Sequence, residues 1–126
     1  MERAKQFSGG QYISLETYRR TGAPVRTTVW LVEEKGTIYV RTGPNSGKVK
    51  RIRHDPHVRI ARTDLRGNIR GEWADGRARF LGEEESERIM VFFRRKYGLQ
   101  IKLLGWIARV MRTRRVQQIF LAIDIA

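Results

Sequence analysis

The sequence predicts a mainly β (α+β) fold, a six-stranded antiparallel β-barrel with short flanking helices. Three observations support this prediction. Segments that alternate or are rich in β-branched residues fill the first two-thirds of the chain, with glycine-containing turns between them. Apart from one short segment at Lys48–His54, helical patterns begin only after Gly82. The last segment, Val116–Ile125, alternates again and can close the barrel as its final strand. We expect residues 1–126 to form a single domain.

Three strands are predicted before residue 43. Gln11–Arg20 alternates between two faces, and Val25–Glu33 is rich in β-branched and aromatic residues. Thr37–Thr42 follows a turn at Glu34–Gly36. Because the connections are short, we expect a three-stranded antiparallel meander.

A short helix is predicted over Lys48–His54. Ser46 is a suitable N-cap residue, and the Asp55–Pro56 step stops further helix. His57–Thr63 is then predicted as a strand. Ile69–Leu81 has a long β-like pattern with Asp-Gly in its middle, and a continuous bent strand is favoured over a hairpin.

Two helices are predicted after Gly82. The first has Glu83–Glu85 in its first turn and Arg94–Lys96 in its last, which complements the helix dipole, and Gly98 fits the C′ position. The second covers about Gln100–Arg112, with an apolar stripe at Leu104, Ile107, Ala108 and Met111. Its basic residues and Trp106 suit a membrane surface or, as we favour, packing on the barrel or a second subunit; they are Arg109, Arg112, Arg114 and Arg115.

The composition excludes several classes of site. The chain has no cysteine and two histidines, His54 and His57, so thiolate chemistry is excluded and no metal site is expected. No pattern for an acid, base or nucleophile is evident, so no catalytic side chain is assigned and a cofactor must do the chemistry of any enzyme. The start of the chain is polar and no apolar run spans a membrane, which predicts a cytoplasmic protein.

The net charge is +13. A strongly basic surface suits nucleic acid, anionic lipid or a polyanionic small molecule, and the charge alone does not choose among them. Basic residues around Trp73 are typical of a nucleic-acid surface but equally suit a solvated strand or a channel for an anionic tail; they are Arg66, Arg70, Arg77 and Arg79.

The segment Ser46–Arg51 is the strongest candidate site. A phosphate site needs a chain that curls around an anion, N–H groups at a helix start and cationic side chains. Lys48 and Arg51 are three apart and share a helix face. The alternative is an ordinary basic helix start on a basic protein. On the second predicted strand, Arg26 could direct its guanidinium toward the same anion.

Taken together, these segments resemble the pyridoxamine-phosphate-oxidase-type split barrel that binds flavin mononucleotide (FMN) or the deazaflavin coenzyme F420. Ser46–Pro56 is similar to that family's Ser-x-Lys, short helix, Asp-Pro signature. Gly22–Trp30 resembles its second strand, Tyr39–Thr42 its third, and Gly76–Ala78 a Gly-x-Ala of its fifth. Arg95–Gly98 is closer to the deazaflavin-dependent branch.

The resemblance implies which residues bind the cofactor. The ring and polyol chain would contact Arg26, Thr27, Thr28 and Val29. The polyol or phosphate would contact Arg41 and Thr42. The phosphate would bind to Ser46, Gly47 and Lys48, with Lys50 and Arg51 close by. The resemblance also implies a homodimer with two cofactor sites at its interface.

The implied function is an oxidoreductase that transfers a hydride between F420, or FMN, and an unidentified small organic substrate. The alternatives are an FMN-binding oxidase, reductase or flavin-storage protein and, less favoured, a basic nucleic-acid-binding module. The family's flavin-contacting glutamine is replaced at about Gly71, and residues 99–126 lack the C-terminal substrate motif of pyridoxamine oxidases. Pyridoxamine phosphate is therefore not the expected substrate.

Overall fold

Six strands form one closed barrel in the computed structural model, which describes residues 7, 10–43, 46–110 and 119–125. The order around the barrel is β1-β2-β3-β6-β5-β4, and all neighbours are antiparallel. The predicted six-stranded antiparallel barrel, closed by the last strand, is confirmed. The strands are β1 (Tyr12–Tyr18), β2 (Pro24–Glu34), β3 (Thr37–Thr42), β4 (His57–Thr63), β5 (Ala74–Phe80) and β6 (Ile119–Ile125).

Alternation along the strands separates two cores. Residues of one parity fill the barrel interior, for example Leu15, Leu31 and Val40, all fully buried. On the outside, residues of the opposite parity form a second cluster with the long C-terminal helix, among them Val32, Tyr39 and Phe120. The period of two in the sequence therefore produces both layers.

The first helix, α1 (Gly47–His54), lies across one end of the barrel. It connects the end of β3 to the start of β4, and both of these lie at the same barrel end. Val49 and Ile52 are buried, and Ile52 belongs to the interior core. The predicted helix is confirmed, and its apolar face closes the barrel end.

The second helix, α2 (Glu83–Val110), packs on the outside of the barrel and covers both predicted helices. The predicted break between them is present, but it falls at Tyr97, and Gly98 does not have the positive φ of a C′ residue. Backbone angles leave the helical range at Tyr97 (φ −120°, ψ 21°), and the helix resumes beyond this kink. Side chains of 99–110 and all of 111–118 lie outside the described residues, and so do the predicted apolar stripe and the basic residues that flank it. None of the described helices is long and apolar enough to cross a membrane.

The predicted long strand Ile69–Leu81 is only partly correct. Residues 74–80 form β5, and Asp75 and Gly76 lie inside this strand, so there is no hairpin. The preceding residues are not part of β5, and their β pairing with β4 is limited to one isolated bridge, between Thr63 and Ile69. Gly67, with φ +90°, turns this segment, and we call 64–73 the outer loop because Gly67 and Trp73 lie against the outer face of β2.

Candidate functional site

The barrel is split between β2 and β3. Over Pro24–Trp30, β2 pairs with β1, but β2 pairs with β3 only over Leu31–Glu34. The last residues of β3, Arg41 and Thr42, pair with β6 and have no partner on β2. Within the described strands, the β3-facing edge of Pro24–Trp30 is therefore open, at the barrel end that α1 covers.

The start of α1 lies beside this opening. Ser46 occupies the N-cap position, but its hydroxyl makes no capping hydrogen bond. Instead, its Oγ lies 3.2 Å from Thr42 Oγ1. The first turn has no acidic residue, and its N–H groups have no side-chain cap. Since such N–H groups and the helix dipole favour negative charge, this geometry suits an anion.

Arg51 folds back over the helix start. Its Nε donates to Thr17 Oγ1 at 2.6 Å, at the end of β1. A Cβ built on Gly47 would lie 2.8 Å from Arg51 Nη1, so the guanidinium fits closely because residue 47 has no side chain. Sequence reasoning missed Thr17; its inward position at a strand end is the only sequence feature that could have indicated it.

Lys48 is the second cation at this helix start. Burial lowers the pKa of its amine, and the nearby positive charge of Arg51 lowers it further. No carboxylate contributes to these shifts. The pair therefore concentrates positive charge at the helix start, while Lys50 is exposed on the other side of α1.

Arg41 lies on the outer side of the split. Among the described side chains, its Nε is the one buried nitrogen or oxygen atom that has no hydrogen-bond partner. Burial lowers the pKa of Arg41, and so does the positive charge of Arg94. A buried donor without an acceptor carries a free-energy penalty, which an anionic or carbonyl acceptor would remove.

The four predicted residues of β2 point to two different faces. Thr27 and Val29 point into the barrel, where Val29 belongs to the core. Arg26 and Thr28 point outward and are exposed. The Arg26 guanidinium is bound to Glu16, with Nε to Oε2 at 3.0 Å. The structure therefore brings Thr42 of β3 to Ser46 at the start of α1, whereas Arg26 is engaged on the outer face of the barrel.

An arginine–glutamate–arginine row crosses the outer face. Glu16 lies between Arg26 on β2 and Arg59 on β4 in the strand register, and Arg59 Nε donates to Glu16 Oε1 at 2.8 Å. Burial alone would raise the pKa of Glu16, but hydrogen bonds from Arg59, Tyr18 and Arg26 lower it to about 2. Burial and the adjacent Glu16 raise the pKa of Tyr18 to about 12.

The arginines that the sequence grouped around Trp73 are separated in the structure. Arg70 pairs with Asp64 at 3.1 Å. Arg79 pairs with Asp124 at 3.3 Å and with Glu85 at 3.4 Å. Within the described residues, no group of three or more histidine, aspartate or glutamate side chains is arranged to hold a metal ion.

Solved protein structures share this fold. A protein of Listeria innocua described as a candidate pyridoxamine 5′-phosphate oxidase superposes with a TM-score of 0.64 at 15% identity, covering 97% of this chain and 86% of its own. An FAD-binding protein of Mesorhizobium loti gives 0.61 at 16% identity, covering 98% and 85%. An F420 reductase gives 0.61 at 11% identity, covering 97% and 92%.

No protein-family model matches the chain. No curated protein matches it either. The fold is nevertheless the split barrel of pyridoxamine-phosphate-oxidase-like proteins, as the sequence resemblance predicted.

Proposed function

We propose that this protein binds a phosphorylated flavin-type cofactor, F420 or FMN, and is an oxidoreductase that transfers a hydride between that cofactor and a small organic substrate. The observation that carries the proposal is the open edge of β2 beside the uncapped start of α1. Structures with this fold include proteins whose names refer to FAD and F420, which supports the same class of cofactor.

The residues present fit a phosphorylated cofactor. Two cationic side chains, Lys48 and Arg51, lie at a helix start that has no acidic residue in its first turn. Arg41 provides a buried donor that lacks an acceptor. The phosphate would bind to the first-turn N–H groups, Ser46 and Lys48, and the ring would lie along the open edge of β2 near Thr28.

The cofactor, when bound, supplies the hydride chemistry. The chain orients the cofactor by binding its phosphate at the start of α1 and its ring through backbone groups of β2. Its positive surface also draws an anionic cofactor toward the site. We also propose that two copies of the chain form a homodimer, as the resemblance to the split-barrel family implies. Light scattering on the purified protein tests this.

The direct test is a titration of purified protein with F420 and with FMN, followed by fluorescence. We expect micromolar binding of one of them and at least tenfold weaker binding by Lys48→Ala, because a charged contact to phosphate is lost. Arg95→Ala removes the same charge from an exposed position on α2 and is the matched control. Absence of binding by both cofactors, or equal losses in the two variants, contradicts the proposal.

A second measurement tests the oxidoreductase activity. The bound cofactor is reduced in the absence of oxygen, and its reoxidation by a panel of unsaturated and carbonyl compounds is followed. Stoichiometric reoxidation by one class of compound supports hydride transfer. A protein that binds cofactor but reoxidises it no faster than free solution with any compound is a storage protein instead.

A further inference from the structure

We propose that Arg26 and Arg59 form a binding site for an oxyanion, a carboxylate or a phosphate, on the outer wall of the barrel. This inference goes beyond the proposed function and stands on the geometry of the Arg26–Glu16–Arg59 row alone.

The row holds two positive charges and one negative charge. Glu16 is only 2% exposed, so solutes cannot reach its carboxylate, and with a pKa of about 2 it stays ionised at neutral pH. Its two arginine partners are much more accessible, with side chains 55% and 35% exposed. The row therefore presents a net positive charge outward.

The arginines are held so that donors remain available. Arg26 binds Glu16 through Nε alone, and Arg59 through Nε and Nη2. Among the described residues, no acceptor is bound to the two Nη atoms of Arg26, and Arg59 also interacts with the Tyr18 hydroxyl. Fixed guanidinium groups with free N–H edges are well suited to bind carboxylate or phosphate oxygens.

Trp73 of the outer loop completes the site. Its ring centroid lies 4.7 Å from the Arg26 Cζ and 4.9 Å from the Arg59 Cζ. Cation–π contacts of this kind fix both guanidinium groups before a ligand arrives, which lowers the entropy lost on binding. The site extends from β2 across β1 to β4, on the side of β2 opposite its open edge.

The test uses propionate and inorganic phosphate as probes, with cofactor-free protein in chloride-free buffer and tryptophan fluorescence as the signal. We expect a saturable response to at least one probe, and the two arms show whether a carboxylate or a phosphate is preferred. The response should disappear in Trp73→Phe if it reports this site. It should weaken at least tenfold in Arg59→Gln and less in Arg59→Lys, which keeps the charge but not the planar donors.

Two controls separate this site from the cofactor site. Arg70→Gln removes another partly exposed, ion-paired arginine and should leave anion binding unchanged. Lys48→Ala should weaken cofactor binding and leave the fluorescence response to propionate unchanged. Arg59→Gln should weaken the response to propionate and leave cofactor binding unchanged. Propionate and phosphate responses that are absent in the wild type, or that are equal in Arg59→Gln, Arg59→Lys and wild type, overturn the proposal. Loss of cofactor binding alone overturns only the proposed function.

Discussion

The hydroxyl of Tyr97 joins α2 to Leu31 at the point where the barrel splits. It lies 3.1 Å from the Leu31 backbone nitrogen and 2.8 Å from its oxygen, and 2.7 Å from the Gln11 oxygen. Leu31 is the first residue of β2 beyond its pairing with β1. The side chain of Tyr97 thus provides partners for backbone groups of β2 next to the opening, and burial raises its pKa to about 12.

Removing this hydroxyl should destabilise the fold. Tyr97→Phe leaves the Leu31 N–H buried without an acceptor, and we expect the free energy of unfolding to fall by about 1–3 kcal/mol. Urea denaturation measures it. Tyr12→Phe removes a hydroxyl that has no hydrogen bond to any described residue and should change stability by less than about 0.5 kcal/mol. Equal effects of the two substitutions would show that the Tyr97 contacts are not stabilising.

Glu16 should make stability depend on pH. Its pKa is lowered from 4.5 to about 2 in the folded protein, so its contribution is fully present above pH 4.5 and is lost as pH falls toward 2. The free energy of unfolding, measured by urea between pH 2 and 6, should fall more steeply in wild type than in Glu16→Gln. The expected difference across this window is on the order of 3 kcal/mol. Parallel curves would contradict the assignment.

Gly76 should be intolerant of a side chain. A Cβ there would lie 2.8 Å from Ile123 Cγ2 and 3.1 Å from the Asp124 carbonyl oxygen, where β5 pairs with β6. We expect Gly76→Ala to lower the unfolding free energy by about 1–3 kcal/mol. Gly82→Ala is the control, because nothing lies within 4 Å of its added carbon. A Gly76→Ala protein as stable as this control would refute the close packing.

Local patterns in the sequence predict most of the strands and α1. Thr37–Thr42 and His57–Thr63 have the predicted bounds, because alternation and turn residues are local signals. Only residues 69–73 of the outer loop were predicted as strand, as the start of the long β-like segment Ile69–Leu81. Tertiary contacts decided otherwise: Trp73 lies against Arg26 and Arg59 instead of continuing β5.

Of the candidate site, the sequence predicts the part formed by one continuous segment and misses the contacts that other segments make with it. Ser46–Arg51 is contiguous, so its helix and its basic face can be inferred locally. The partners that reach it from other strands cannot, since cross-strand register determines them. That register places Glu16 beside Arg26, and the packing of α1 on the barrel end brings Arg51 to Thr17. The break predicted between the two late helices lies at Tyr97, one residue before the Gly98 that the sequence indicated.

The most direct test of the central claim compares each cofactor with its phosphate-free form. FMN is titrated against riboflavin, and F420 against its deazaflavin chromophore without the phosphodiester. If the start of α1 holds the phosphate, the dissociation constant of the phosphorylated form of the preferred cofactor should be at least tenfold lower, since charge-assisted hydrogen bonds each contribute about 1.5–3 kcal/mol. Equal affinities for the two forms would contradict the account.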